Sequence, residues 1–404
     1  MASNASTPPV ARQLSLRMVM EAVLHQGPIS RAQIAKITGL SKQTTSEVVR
    51  ELEERGWLRE RGRTQGAIGR SALTYEINDR AAFVLGIDLG GTKIRMAIAD
   101  LKGAVVQEEE VPTDDRGGVH VLDQIADLAR RLAAAAEIGA KALRFGVMGT
   151  PGVVDPTDGS IQVAPNIPGV DRIDVIGGLK SRLGFEVIIE NDINLHAQGE
   201  QWQGHGAATR SFAFIALGTG IGMGIIADGK LLRGARGAAG EIAYLPIGGD
   251  PYDPRGFTLG TLETAVGSRA ILQRYRGYGG TAASNVRDVF AALAGGDEAA
   301  VAAIDETARL IAPAIVAVNA VLDPEVVVLG GSIGVRLELF ERIRHYLALC
   351  GHVRPRIEVS LLGNRAALVG AIGTALSQLH NSLFGLDVAS GGLSLPIVEG
   401  RLSA

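Results

Sequence analysis

The stretch "FVLGIDLGGTKIRMAIAD", Phe83 to Asp100, decides the fold. Two apolar runs flank the glycines of "DLGGTK", which predicts a strand, a tight turn and a second strand. A phosphate-binding turn needs glycines so that backbone N–H groups can come close to the anion, and it needs a carboxylate near a metal ion. Asp88, Gly90, Gly91, Thr92 and Lys93 supply those parts. Taken alone, the same residues also suit an ordinary glycine hairpin with a surface lysine.

Toward the C-terminus, strand-like and helix-like stretches alternate, which implies an α/β body. "LGTGIGMG" (Leu217 to Gly224) is a second glycine turn with Gly218, Thr219 and Gly220 at its tip. "VVVLGGS" (Val326 to Ser332) is a third, ending a strand at Gly330 and Gly331 where an adenosine would rest. Between them, "ENDINLHAQGE" (Glu190 to Glu200) sets Asp192 at a strand end. A carboxylate there can take the proton from an attacking hydroxyl, or it can simply cap the following helix.

Toward the N-terminus the pattern is helical. Leu16, Val19, Met20 and Leu24 fall on one face of a helix that starts at Leu14 and is ended by Gly27 and Pro28. Ser30 caps a second helix that stops at Gly39, and Ser41 caps a third with Val48, Val49 and Leu52 facing inward. The strands "WLRE" and "ALTYEIN" follow, around "RGRTQGAIGRS". Three helices and a hairpin make a winged helix-turn-helix over residues 14–78, preceded by a flexible arm of residues 1–13. Such a head lays its third helix in the major groove, so Lys42, Gln43, Thr44, Thr45 and Ser46 are the expected DNA-reading residues. Arg61, Arg63 and Arg70, in the loop around Gly66 and Gly69, suit the minor groove. The alternative is a protein-docking module. One head reads a short half-site, so DNA binding implies a homodimer on a palindromic operator.

Charge supports that division. Net charge is −3 over 404 residues. Residues 11–80 hold twelve Lys and Arg against eight Asp and Glu, while the rest holds 28 against 35, so a basic head precedes an acidic body. Hydrophobic residues make up 46%, enough for a large core, aromatics only 4%, and there are 53 glycines, as many tight strand connections require. The single cysteine, Cys350, excludes an internal disulfide or a cysteine-rich metal cluster. "MASNASTPPVARQ" lacks the apolar core of a signal peptide, and Ile311 to Leu322 is too short an apolar run to cross a bilayer. A cytoplasmic protein without a membrane partner is the expectation.

The ordered set "DLGGTK", "APNIPG", "ENDINLHAQGE", "LGTGIGMGIIADGKLLRGARGAAGE" and "DPEVVVLGGSIG" resembles the ROK family of repressors, open reading frames and kinases. The resemblance spans residues 82–378, leaving 379–404 as a tail, and the winged head resembles the family's repressor branch. It implies the actin-like ATPase fold of sugar kinases, with two lobes of about residues 82–190 plus the closing helix, and 191–365. It further implies that Asn166, Asn191, Asp192, Glu241 and Glu263 hold the hydroxyls of a sugar, with Asp192 as catalytic base in a kinase. Gly218, Thr219 and Gly220, with the "DLGGTK" loop, would cradle ATP phosphates.

One departure is informative. Members of the family follow the Glu at 241 with Gly-His and then C-x-C-G-x-x-G-C, and that His and three Cys bind zinc. Here Tyr244 stands at the His position, and Pro254, Gly256 and Thr261 replace cysteines. Without thiolates a site of that type does not assemble, so no zinc is expected. Tyr244 either donates to the sugar or packs. Two functions follow: a transcriptional repressor released from its operator by a monosaccharide, requiring no cofactor, or an ATP- and magnesium-dependent sugar kinase with a DNA-binding head. The head favours the repressor, because a kinase gains nothing from it.

Overall fold

The computed structural model describes residues 10–63, 71–139, 141–155, 159–162, 167–351 and 355–384. The head opens with α1 (Val10–Gln26), strand β1 (Ile29–Ser30), α2 (Arg31–Thr38) and α3 (Lys42–Glu54), then β2 (Leu58–Arg63) and β3 (Leu73–Ile77). Its boundaries follow local chemistry. Ser30 and Gln33 form a reciprocal capping box at α2, Gly39 ends that helix in the left-handed region (φ 71°), and Ser41 accepts the amide of Thr44 at the start of α3. Leu16, Val19, Ile34, Val48, Val49 and Leu52 form its core. β3 lies between β1 and β2 in an antiparallel sheet. The first helix begins at Val10 rather than Leu14, so residues 10–13 are not part of an arm. Arg12 anchors the added turn by bonding Glu51 of α3 through Nε (3.0 Å) and Nη2 (2.5 Å).

The chain divides into two compact units. Among the described residues, the first contains the head, the body up to Thr150, residues 167–189 and residues 371–384. Its sheet is built from β4 (Phe83–Leu89), β5 (Lys93–Asp100), β6 (Val105–Pro112) and β7 (Leu143–Thr150). Helix α4 (Gly118–Ala135) joins β6 to β7 and buries Val121, Leu122, Ile125 and Leu132. A short hairpin, β8 (Val153–Val154) with β9 (Ile161–Gln162), belongs to the second unit. Helix α5 (Val175–Leu183) and strand β10 (Glu186–Asn191) follow. Strand order is β10-β7-β4-β5-β6, with β4 antiparallel to β5, β5 antiparallel to β6, and β4 parallel to β7.

The second unit continues with α6 (Asp192–Gln203), then β11 (Phe212–Leu217), β12 (Ile221–Ala227) and β13 (Lys230–Leu231). Helices α7 (Pro254–Leu259), α8 (Thr261–Val266), α9 (Ser268–Gly277), α10 (Val286–Ala294) and α11 (Glu298–Leu322) come next. They are followed by β14 (Val326–Gly330), the single turn α12 (Gly331–Gly334), α13 (Leu337–Leu349), β15 (Ile357–Val359) and α14 (Ala366–Phe384). Strand order is β13-β12-β11-β14-β15, with β11 antiparallel to β12 and parallel to β14. The two sheets therefore share one topology: β11 corresponds to β4, β12 to β5 and β14 to β7. Alternation along β11 sends Ala213, Ile215 and Leu217 into a core with α8–α11 and α13, and Phe212 and Phe214 to the opposite face with Ala197 of α6.

Candidate functional site

Within the second unit, four successive residues of β12 organise three of the sequence-predicted carboxylates. The amide of Ile221 donates to Oε2 of Glu263 at 3.1 Å. Gly222 and Gly224 lie under α6, where a Cβ would collide with Ile193 and Ala197 respectively. Their missing side chains let the N-terminal turn of α6, with Asp192, settle on the strand. The amide of Met223 donates to the carbonyl of Gly240 at 3.0 Å, which fixes the residue before Glu241. Gly240 has φ 94°, and a Cβ there would strike the Met223 carbonyl, so only glycine fits.

The glycine turn completes this arrangement. Gly218 donates to the carbonyl of Gly220 (2.9 Å), and a Cβ at Gly220 would collide with the Glu263 carboxylate. Gly331 at φ 76° sits against the backbone of Leu217, and Ser332 lies beside Gly218. Burial strips water from the Glu263 carboxyl and raises its pKa, opposed by the Ile221 amide and the charge of Arg269. Glu241 is raised by partial loss of hydration and then by the negative charge of Glu263, a shift that its exposed side chain, open to screening by water, keeps small.

At α6, Asn191 is the cap. Its Oδ1 accepts the amides of Ile193 (2.9 Å) and Asn194 (3.0 Å), and its Nδ2 donates to the carbonyl of Gly152 (2.9 Å). The expectation that Asn191 holds sugar meets a side chain already engaged at both ends. Asp192 is half-buried at the positive end of the helix, with Oδ1 accepting the Ile193 amide at 2.8 Å. Its carbonyl lies 2.7 Å from Nδ1 of His196, whose ring stacks on Phe214. The Tyr244 hydroxyl donates to the Thr258 carbonyl at 3.3 Å, and the residue is 54% exposed. Where cysteines would stand, Pro254 opens α7, Gly256 donates to Asp253, and Thr261 is buried at the start of α8. Asn166 lies outside the described residues.

Two residues that sequence reasoning passed over support this site. Glu190, 5% exposed, accepts the amide of Asn191 (3.0 Å) and Nδ2 of Asn194 (2.9 Å) on Oε1. Its Oε2 accepts from Nε of Arg233 (2.8 Å) and lies 2.7 Å from Nη2 of the same guanidinium. Glu190 is the last residue but one of β10, where nothing in the local pattern distinguishes it from an exposed residue near a strand end.

In the first unit, the "DLGGTK" turn closes through the Gly90 amide on the Lys93 carbonyl (2.9 Å), and Thr113 bonds the Gly90 carbonyl (2.7 Å). Gly91 and Thr92 are exposed. Asp88 lies 3.8 Å from Arg95, and Lys93 reaches Glu110 at 3.2 Å rather than extending over the turn. This turn joins β4 to β5 as Gly218–Gly220 joins β11 to β12, so the two are the same turn of a repeated topology.

On the head, Lys42 and Gln43 are exposed at the start of α3, with Thr44 and Ser46 half-buried beside them. Thr45 corrects the prediction. It is fully buried, because it points to the same side as Val48, Val49 and Leu52, and it cannot reach a base. Arg50, exposed one turn on from Glu47, extends the outward face that the sequence reading ended at Ser46. Arg61 and Arg63 are exposed, but they lie on β2, not in the loop, because pairing with β3 runs to Arg63↔Leu73. Arg70, Gly66 and Gly69 lie outside the described residues.

Residues 84–378 match the ROK family and residues 18–67 match the MarR family. The chain belongs to the ROK family, with a MarR-type winged helix at its N-terminal side. It is 26% identical to the xylose repressor of Caldicellulosiruptor bescii over 91% of this chain and 96% of that one. It is 32% identical to the glucokinase of Halalkalibacterium halodurans, over 74% of this chain and 96% of the kinase. Its structure superposes on the crystal structure of a ROK family transcriptional regulator, a homologue of the E. coli Mlc protein. The TM-score is 0.75 at 25% identity, covering 93% of this chain and 98% of that one. Among the described residues no helix is long and apolar enough to cross a membrane, and no group of three or more His, Cys, Asp or Glu is placed to hold a metal ion.

Proposed function

We propose that this protein is a sugar-responsive transcriptional repressor. Its head binds a DNA operator, and a monosaccharide bound by its kinase-like body releases it. The observation that carries this reading is coverage. The xylose repressor and the Mlc-like regulator align with head and body together, over 91% and 93% of the chain, whereas the glucokinase accounts for 74% of the chain while itself aligned over 96% of its length. The added part is the winged helix, and its use is to read DNA. Lys42, Gln43, Thr44, Ser46 and Arg50 face the major groove in this reading, with Arg61 and Arg63 on phosphate or in the minor groove. A homodimer on a palindrome supplies the second half-site.

In the body, Asp192, Glu241 and Glu263 accept hydrogen bonds from sugar hydroxyls, and Asn191 holds the start of α6. A ligand shifts a regulator only by its difference in affinity for the two states, so the sugar must bind the DNA-free form more tightly. Kinase activity is the second reading, favoured by the two glycine turns and by Asp192 at the positive end of α6. The fold of a sugar kinase suits ATP with magnesium, which would supply the phosphoryl group. Gly218–Gly220 would then hold phosphate, and Asp192 would take the proton of the attacking hydroxyl. The experiment is a titration with D-xylose, D-glucose and other monosaccharides, with and without ATP and magnesium, read by heat, by sugar phosphate and by release of operator DNA. Sugar-dependent release without turnover is the expected result. Turnover without operator binding would overturn the proposal.

A further inference from the structure

We propose that the Arg233–Glu190 pair is the positioning element of the sugar site, locking the loop that carries Glu241 to the start of the helix that carries Asp192. This rests on the sugar-binding reading above. Glu190 is a buried carboxylate that ties together separate pieces of chain. Through Oε1 it holds the amide of Asn191 and the side chain of Asn194, the two residues flanking the first turn of α6. Through Oε2 it holds the guanidinium of Arg233 by two nitrogens.

Arg233 begins the stretch that returns to Glu241. Its own carbonyl accepts the amide of Ala239 at 3.0 Å, closing the stretch into a loop, and the Gly240 carbonyl is pinned to Met223 of β12. One edge of the loop is therefore fixed by β12 and the other by Glu190. A buried carboxylate with several donors is costly to break, because removing a partner leaves charge without compensation. Asp192 and Glu241 are in this way presented as one arrangement before sugar arrives, and the ordering cost is already met on folding.

Neither Arg233 nor Glu190 touches sugar in this scheme, so their substitution has a distinct signature. Arg233 is 43% exposed along its side chain, and Arg233→Met is expected to fold. Hydrogen exchange at the Ala239 amide should accelerate by about tenfold or more in Arg233→Met, the size of one lost charged hydrogen bond. Affinity for whichever of D-xylose or D-glucose binds the natural protein should fall by a similar factor. Arg233→Lys, which keeps one ionic hydrogen bond, should recover part of both losses. Glu190→Gln keeps an oxygen to accept from Asn191 and Asn194 and loses the ionic pair, the same interaction that Arg233→Met removes, so the double variant should lose no more than the worse single variant.

Unchanged exchange at Ala239, or additive losses in the double variant, would overturn the proposal, whether or not a sugar binds. Absence of heat with every sugar on the natural protein, with exchange still accelerated in Arg233→Met, would instead remove the sugar-binding reading and leave the lock standing.

Discussion

Thr45 illustrates how a single residue is misread from sequence. In "SKQTTSE" every side chain is polar, and only the turn of the helix decides which of them faces the core. Its hydroxyl is buried and has no hydrogen-bond partner among the described residues. Thr45→Val should therefore raise stability by about 1–2 kcal/mol, measured by chemical unfolding, and leave operator affinity as it was. Gln43→Ala and Arg50→Ala should each weaken the operator complex, and a gel shift unaltered by both would remove α3 from the DNA interface. Glu241 and Glu263 carry a second residue-scale expectation. Both carboxyls titrate above the usual range, so on acidification they lose their acceptor form before ordinary carboxylates do. Sugar affinity should begin to fall at a higher pH than such carboxylates would give, and calorimetry as a function of pH on the acid side of neutrality checks it.

At the scale of elements, caps and turns were the most legible features. Ser30, Gly39 and Ser41 bound helices where their side chains or backbone freedom predict, because capping is chemistry between residues close in sequence. The glycines of "LGTGIGMG" were legible as a turn, but not as a seat for α6, since that needs the helix to be folded onto the strand. Gly224→Ala would press a methyl against the Ile193 carbonyl at 2.7 Å and the Ala197 methyl at 2.8 Å. It should cost about 1–3 kcal/mol of stability, seen as a lower unfolding midpoint, and reduce sugar affinity by displacing Asp192. Equal sugar affinity in that variant would separate α6 from the site. Glu190 and Arg233 were illegible for a related reason: their partnership spans 43 positions and becomes visible only when strand and loop are brought together.

For the whole molecule, the division into basic head and α/β body follows from charge and periodicity, and the repeat of one sheet topology follows from neither. His380 provides a test of integrity at this scale. On α14 it is 2% exposed, near the backbone of Leu101, and loss of hydration holds its pKa down at about 4. A depressed histidine stays neutral in the folded state while the unfolded chain takes up a proton below its ordinary value near 6.5. Its contribution is complete above about pH 6.5 and declines by about 1.4 kcal/mol per pH unit as pH falls toward 4. His380→Gln should flatten the acid side of the stability profile over that window, and superimposable profiles would refute the assignment.

Helix α14 has a further consequence, one of timing. Its first residues, to Gly370, lie in the second unit, where Gly370 meets Leu195 and Gly199 of α6, and its remainder belongs to the first. It is translated after every strand of both sheets. The core residues of the head, Leu16 to Leu52, are all made before any strand of the body, whereas each unit lacks its part of α14 until this helix emerges. A chain ending ahead of Ala366 should therefore keep operator binding and lose its release by sugar, and a gel shift with and without sugar, beside limited proteolysis of the body, checks it.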